Sequence, residues 1–504
     1  MANPLYDALF APHDGNATPF LHLADGSTVT HADFLELVSQ MANALGALGV
    51  VPGDRVAVHI EKSPEALALY AACVKSGAVF LPLNTAYTST ELSYFVEDSG
   101  ATLFLCDPSE VDAVTDIAKV TGAILHSLGA KGDGSFMDLA RAQPSHSDIA
   151  ERKAEDLAAL LYTSGTTGRS KGAMLTQANL LSNAEALVDA WQFTDRDVLL
   201  HALPIFHTHG LFVATNTLLL AGGSMIFLPK FDLDTVLRLM PKATTMMGVP
   251  TFYTRLLDDA RFTADIARHM RLFISGSAPL LAETHIQFEQ RTGHRILERY
   301  GMTETNMNTS NPYKGERRAG TVGFALPGVE VKICHPETGA TLPQGEIGVL
   351  EVRGPNVFKG YWNMPEKTRE ELREDGFFIT GDLALIDADG YVQIVGRGKD
   401  LIISGGYNIY PKEIELLLDT QPGVKESAVI GAPHPDFGES VVAVLVPEAG
   451  ATVDLDAINA AVRESLAGFK RPRVIKVIDA LPRNTMGKVQ KNQLRDKYAG
   501  VFTN

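Results

Sequence analysis

Cysteine is scarce in this chain: Cys73, Cys106 and Cys334 are three in 504 residues and lie far apart. That spacing excludes a disulfide framework and a thiolate-rich metal cluster, and a reduced, cytoplasmic compartment is expected. Positive charge is also in deficit. With 44 Lys and Arg against 60 Asp and Glu, the formal net charge is −16, which repels nucleic acid phosphates and anionic lipid and removes nucleic acid as an expected partner. Long apolar runs are missing. The nearest, from Gly210 to Leu228, is interrupted by Thr215, Asn216 and Thr217 and broken at Gly222–Gly223, so a buried helix followed by a strand is expected rather than membrane insertion. The opening MANPLYDALFAPHDG has no basic segment leading into an apolar one and does not read as a secretory signal. No repeat of 20–50 residues is visible, against a solenoid.

What is present reads as a chain folded nearly end to end. Hydrophobic residues make up 45% of the chain and charged residues 21%, ordinary globular usage, and the length exceeds what one core usually serves. Short β-branched runs alternate with helical periodicity, as in RVAVHI (55–60), then PEALALYAACVKSG, then VFLPL; TLFLC, SMIFLP and RLFISG continue the pattern. The fold class expected is α/β, a large N-terminal domain of parallel β-sheets covered by helices. Near residue 397 a hairpin-like DLALIDADGYVQIVG (382–396) gives way to GRGKD, LIISG and a helix opened by Pro411. This marks a boundary between a domain at 1–397 and a small, mobile α+β domain at 398–504.

The densest local signal is LLYTSGTTGRSKGAML (160–175). Gly165, Gly168 and Gly172 let backbone N–H groups turn toward an anion, Thr163, Ser164, Thr166 and Thr167 add hydroxyl donors, and Lys171 adds charge. The composition suits a polyphosphate. It is not a Walker A loop, because the GxxxxGK[ST] spacing is absent, so a motor or GTPase reading loses its support.

Together with FISGSAPL (273–280), ERYGMTE (298–304), FFITGD (377–382), GRGKD (396–400) and NTMGK (484–488), this loop resembles the acyl-adenylate-forming superfamily of acyl-CoA synthetases, peptide-synthetase adenylation domains and firefly-type luciferases. The resemblance spans nearly the whole chain. It implies that Gly276, Ser277 and Ala278 line the adenine and acyl pocket, that Tyr300 packs on adenine beside Gly301 and Met302, and that Thr303 bonds the α-phosphate. Glu304 and Thr163 would hold Mg²⁺, Asp382 and Arg397 the ribose, and Lys488 would bridge the incoming carboxylate and the phosphate. A hinge at Lys399 would carry Lys488 away and bring Ser404, Gly405 and Gly406 to the pantetheine channel. Acetylation of Lys488, by an acetyltransferase opposed by a deacetylase, would remove its charge and block the first half-reaction.

Arg255 in GVPTFYTRLL, His207 in FHTHG and Arg169 in the phosphate loop are basic candidates for a second substrate carboxylate, beside Ser277. These segments with ERYGMTETNMNTSNPY look like malonyl-CoA synthetases, implying ATP, coenzyme A and malonate, or methylmalonate, as substrates. Competing readings are a synthetase for another acid, an enzyme loading a carrier protein, a luciferase-like oxygenase, or a silent nucleotide-binding protein. The absence of an appended carrier domain argues against the second. Intact Lys171, Glu304, Asp382, Arg397 and Lys488 argue against the last.

Overall fold

A computed structural model describes residues 2–163, 170–404, 407–484 and 487–502. The β-branched runs become parallel strands and the periodic stretches between them become helices. In one such unit the strand Arg55–His59 leads to the helix Pro64–Ser76, and the chain returns in the strand Val79–Pro82, parallel to the first. The helix starts where the Ser63 side chain accepts from the Ala66 N–H, with Pro64 in the first turn, and stops at Gly77 with φ 75°. Both ends therefore follow local chemistry: a hydroxyl cap at one, a left-handed glycine at the other.

The chain divides into two compact units, residues 1–319, 323–331 and 352–378, and residues 320–322, 332–351 and 379–504. The α/β expectation holds. The first unit contains a six-stranded sheet, parallel except for its last hairpin, Leu157–Thr163 with Lys171–Thr176. It also contains a nine-stranded sheet whose middle strands are parallel. In that sheet the strand Val198–His201 lies between Ser224–Phe227 on one side and Thr245–Gly248 on the other. The winding direction reverses there, and such a switch point opens a crevice at the carboxyl ends of the strands. The segments that leave those ends are FHTHG after His201, GVPTFY after the strand Thr245–Gly248, and SGSA after the strand Leu272–Ser275.

The apolar stretch from 210 is interior structure. Residues His209–Asn216 form a wide, π-type helix, wholly buried, continued by the helix Thr217–Ala221 and the strand Ser224–Phe227. Among the described residues no helix is long and apolar enough to cross a membrane. The three cysteines are buried and free.

In the second unit the strands Phe378–Ile386 and Val392–Arg397 form the expected hairpin, closed where the Gly390 N–H donates to the Asp387 carbonyl. A second sheet joins Ile402–Ser404, Tyr407–Ile409, Val424–His434, Gly438–Pro447 and Val474–Val477. The helices Pro411–Asp419 and Leu455–Ser465 bury Ile414, Leu418, Ile458 and Val462 against one face of it, and Leu494 of the helix Lys491–Tyr498 covers the other.

Candidate active site

The phosphate loop is the tip of a hairpin. Antiparallel pairing sets Thr163 opposite Lys171 and Tyr162 opposite Gly172, so the hydroxyl and the ammonium expected to meet phosphate stand at the mouth of one loop. Ser164, Gly165, Thr166, Thr167, Gly168 and Arg169 lie outside the described residues, as do Gly405 and Gly406.

Lys171 is held by a group that sequence reasoning passed over. Its Nζ lies 3.2 and 3.1 Å from the two carboxylate oxygens of Glu371 and 4.1 Å from the centre of the Tyr361 ring. The Tyr361 hydroxyl is 2.6 Å from Glu371 Oε2 and 3.0 Å from Glu304 Oε1. Burial, with Glu304 and Glu371 adding to it, pushes the Tyr361 hydroxyl far above its ordinary pKa, so it is a proton donor throughout the neutral range. Burial raises the Glu371 carboxyl, but hydrogen bonds from Tyr361 and Lys367 and the charge of Lys171 outweigh it and hold the group below its usual pKa.

The turn carrying Thr303 and Glu304 joins the antiparallel strands Leu297–Met302 and Asn306–Ser310. A bulge between Tyr300 and Gly301 shifts the register. At Gly301 a Cβ would sit 1.8 Å from the Asn306 carbonyl oxygen, so only glycine allows the strands to close this tightly. Asn306 adopts φ 48°, and its Oδ1 accepts from the Thr208 hydroxyl at 2.8 Å. The segment 356–361 braces the turn: Asn356 Nδ2 donates to the Thr305 carbonyl, and the Phe358 N–H to the Glu304 carbonyl. Tyr300 and Met302 are half-buried, and the Tyr300 hydroxyl lies 3.8 Å from Met302 Sδ.

Glu304 is 5% exposed. A carboxylate there fits Mg²⁺, which takes one or two protein carboxylates and completes its shell with water and substrate phosphate. Among the described residues no cluster of three His, Cys, Asp or Glu stands ready to hold a metal.

At the switch-point crevice, Ser277 adopts φ 69°, and its Oγ lies 3.1 Å from His209 Nδ1. His207, half-buried, accepts the His209 N–H on its Nδ1. Behind Gly276 lies Arg299, 3% exposed. Its Nε and Nη2, and His209 Nε2, have no hydrogen-bond partner among the described residues. Burial lowers the guanidinium pKa to about 9. Burial, then the charge of Arg299, keeps His209 neutral far below its ordinary pKa. Arg255, by contrast, stands exposed on the helix Pro250–Leu257 and does not join the buried group. Ala278 follows Ser277 toward Leu280, whose N–H donates to Glu298 Oε1.

In the second unit Asp382 and Arg397 face each other across the hairpin, with Arg397 Nε 2.7 Å from Asp382 Oδ1. Such a pair presents both acceptors and donors to vicinal hydroxyls. Lys399 follows, exposed, and the desolvation it does undergo lowers its pKa. Ser404 ends a strand paired with Tyr407 and Gly438. Lys488 is exposed, its N–H bonded to Asn484 Oδ1 and its carbonyl to the Asn484 N–H.

Residues 11–362 match the AMP-binding enzyme family, and residues 413–488 match the AMP-binding enzyme C-terminal domain. The chain is 37% identical to a malonate–CoA ligase of Arabidopsis thaliana over 89% of its own length and 78% of the relative's. It is 36% identical to a feruloyl-CoA synthase of Amycolatopsis sp over 98% of both. The crystal structure of ATP-bound MatB from Rhodopseudomonas palustris superimposes with a TM-score of 0.97 at 57% identity, over 99% of each chain. Matches over both units, together with the loop, turn and hairpin motifs in order, place this chain in the AMP-binding enzyme family, the acyl-adenylate-forming superfamily.

Proposed function

We propose that the protein is an ATP-dependent acid–CoA ligase converting malonate, and methylmalonate as a second substrate, to the CoA thioester with release of AMP and pyrophosphate. Relatives named for malonate and for ferulate match it almost equally, so overall similarity does not choose the acid. Arg299 chooses it. A guanidinium buried behind Gly276 with Nε and Nη2 unpartnered among the described residues is costly beside an alkyl or aromatic chain and favourable beside a second carboxylate. Arg255 is proposed as a second cation, since its helix starts two residues beyond the strand Thr245–Gly248, at the carboxyl edge of the sheet.

In the first half-reaction a substrate carboxylate oxygen attacks the α-phosphorus, and the bond to the departing pyrophosphate breaks. Two anions must approach, so positive charge is what this chain must supply. Lys171 would hold the departing phosphates, Thr303 the α-phosphate, and Lys488 the incoming carboxylate beside it. Mg²⁺, bound through Glu304 and Thr163, would neutralise developing phosphate charge. Tyr300, Gly301, Met302 and Gly276 to Ala278 form the proposed nucleotide wall, and Asp382 with Arg397 the ribose contact. In the second half-reaction the thiol attacks the acyl carbon and AMP leaves. Rotation at Lys399 would withdraw Lys488 and present the Ser404–Gly406 segment, whose small residues permit a narrow thiol channel. Acetylated Lys488 would then silence the first step alone.

An ATP–pyrophosphate exchange panel of malonate, methylmalonate, succinate, acetate, octanoate and ferulate tests this reading. Exchange led by malonate supports it; exchange led by octanoate or ferulate overturns the dicarboxylate assignment and leaves the ligase class standing.

A further inference from the structure

The contacts of Tyr361 and Glu371 exceed what packing requires. Residues 359–362 lie along the strand Lys171–Thr176: the Lys359 N–H donates to the Met174 carbonyl, the Trp362 N–H to the Gly172 carbonyl, and Tyr361 stands opposite Ala173. The chain then folds back through the helix Pro365–Glu371. Gly360, at φ 132°, makes the fold-back possible, since a Cβ there would meet the Thr368 side chain at 2.6 Å, and the Tyr361 N–H donates to the Thr368 hydroxyl.

This geometry delivers Glu371 as the last residue of its helix, where the carbonyl ends carry partial negative charge and disfavour an acid. Two cations offset that placement, Lys367 at 3.0 Å and Lys171 at 3.1 Å. Lys171 is the residue that the ligase reading assigns to phosphate, so its ammonium serves two anions in turn. The Tyr361 hydroxyl lies between Glu371 and Glu304. It carries one proton for two acceptor-only carboxylates. With Lys171 on Glu371, that proton is shared, the hydroxyl standing 2.6 Å from Glu371 Oε2 and 3.0 Å from Glu304 Oε1. With Lys171 drawn to phosphate, the proton turns to Glu371 and leaves the Glu304 oxygen to a cation.

We propose that Glu371 and Tyr361 are positioning residues of the adenylation site: Glu371 competes with phosphate for Lys171, and the Tyr361 hydroxyl couples release of that lysine to release of Glu304. The inference rests on the ligase reading and on Lys171 meeting phosphate. It gives the two residues opposite effects on nucleotide affinity, which packing does not.

The test measures ATP affinity calorimetrically in EDTA, and melting temperature, for the full chain and for Glu371→Gln, Tyr361→Phe, Lys171→Ala and both double variants. Glu371→Gln removes the competing charge, so ATP should bind about 3- to 10-fold tighter, the range for a partly buried ion pair. Tyr361→Phe keeps the ring face and its edge contact with Phe358 but removes the donor that relieves Glu371. The carboxylate then holds Lys171 harder, and ATP should bind about 3-fold weaker. In the Lys171→Ala background both shifts should vanish. Shifts of one sign that persist without Lys171, or no shift from either variant, overturn the proposal. Tyr361→Phe carries the test alone if Glu371→Gln does not fold. Wild-type protein that exchanges pyrophosphate normally, with a flat cycle, overturns this inference only; wild-type protein that exchanges with no acid overturns the ligase reading.

Discussion

Gly276 and Arg299 approach so closely that a methyl group on Gly276 would lie 2.3 Å from the guanidinium carbon. The guanidinium is thus the wall behind a residue that the family pattern assigns to the adenine and acyl pocket. It is also a charge paired incompletely within the protein, with Nε and Nη2 lacking partners among the described residues.

Arg299→Met should therefore separate the two substrates. Loss of a charge-assisted contact to a desolvated carboxylate is worth about 3 kcal/mol, so kcat/KM for malonate should fall by roughly 100-fold. ATP affinity should stay within a factor of about 2, because Arg299 acts on the acid. Steady-state kinetics with malonate and calorimetry with ATP check both numbers. Equal losses would assign Arg299 to the fold or the nucleotide.

Gly301→Ala should damage the turn that carries Thr303 and Glu304, since the added carbon would sit 1.8 Å from the Asn306 carbonyl oxygen. Backbone does not yield as a side-chain tip does, and a loss of about 3 kcal/mol is expected. Chemical denaturation of the two proteins measures it. An unchanged midpoint with unchanged activity would show that the bulge is not needed.

Lys488 and Lys399 should fail in opposite half-reactions. Lys488→Ala removes a charge at the attacking carboxylate, and pyrophosphate exchange should drop by about 100-fold or more, while thioester formation from supplied acyl-AMP continues. Lys399→Pro should keep exchange and lose the thioester step by a similar factor, about 100-fold, because a fixed φ obstructs the rotation. Rapid-quench assays of each step distinguish them, and parallel losses in one variant would remove its residue from the scheme.

Asp419 accepts from the Ser427 hydroxyl at 2.7 Å, and burial raises its carboxyl to about 6. Between the unfolded value of 3.8 and about 6 the folded state holds a proton that the unfolded state has released. Stability contributed by this group therefore falls as pH rises through that window and stays low above it. Asp419→Asn should remove the slope and stabilise the protein at pH 7 by about 1–2 kcal/mol, since the amide oxygen still accepts from Ser427. Denaturation at pH 4.5 and 7 checks it; parallel pH dependence of the two proteins would contradict the assignment.

Local chemistry explains how much of this was legible in advance. The strand Arg55–His59, the helix opened by Pro64, the hairpin at Asp387–Gly390 and the hydroxyl-rich loop after Thr163 are each written in a few adjacent residues, because caps, turns and β-branched runs act over short range. The order of the nine-stranded sheet, and so the switch point, depends on pairings between strands distant in sequence. Arg299 lay inside a motif already singled out, yet its burial behind Gly276, which follows the neighbouring strand Leu272–Ser275, appears only in the fold. Glu371 belongs to PEKTREELRED, which alone reads as a solvated charged helix. Only the fold-back at Gly360 brings it to Lys171, 200 residues away. Arg255 shows the converse: its segment reaches the right sheet edge, while its side chain is exposed.

The most direct measurement follows oxygen. With malonate labelled in its carboxylates with ¹⁸O, ATP, Mg²⁺ and CoA, attack of a carboxylate oxygen on the α-phosphorus followed by thiol attack on carbon must leave one labelled oxygen in AMP. Mass spectrometry of the nucleotide should find AMP carrying a single ¹⁸O, in step with thioester formed. Unlabelled AMP, or ADP in its place, would contradict adenylation and the reading built on it.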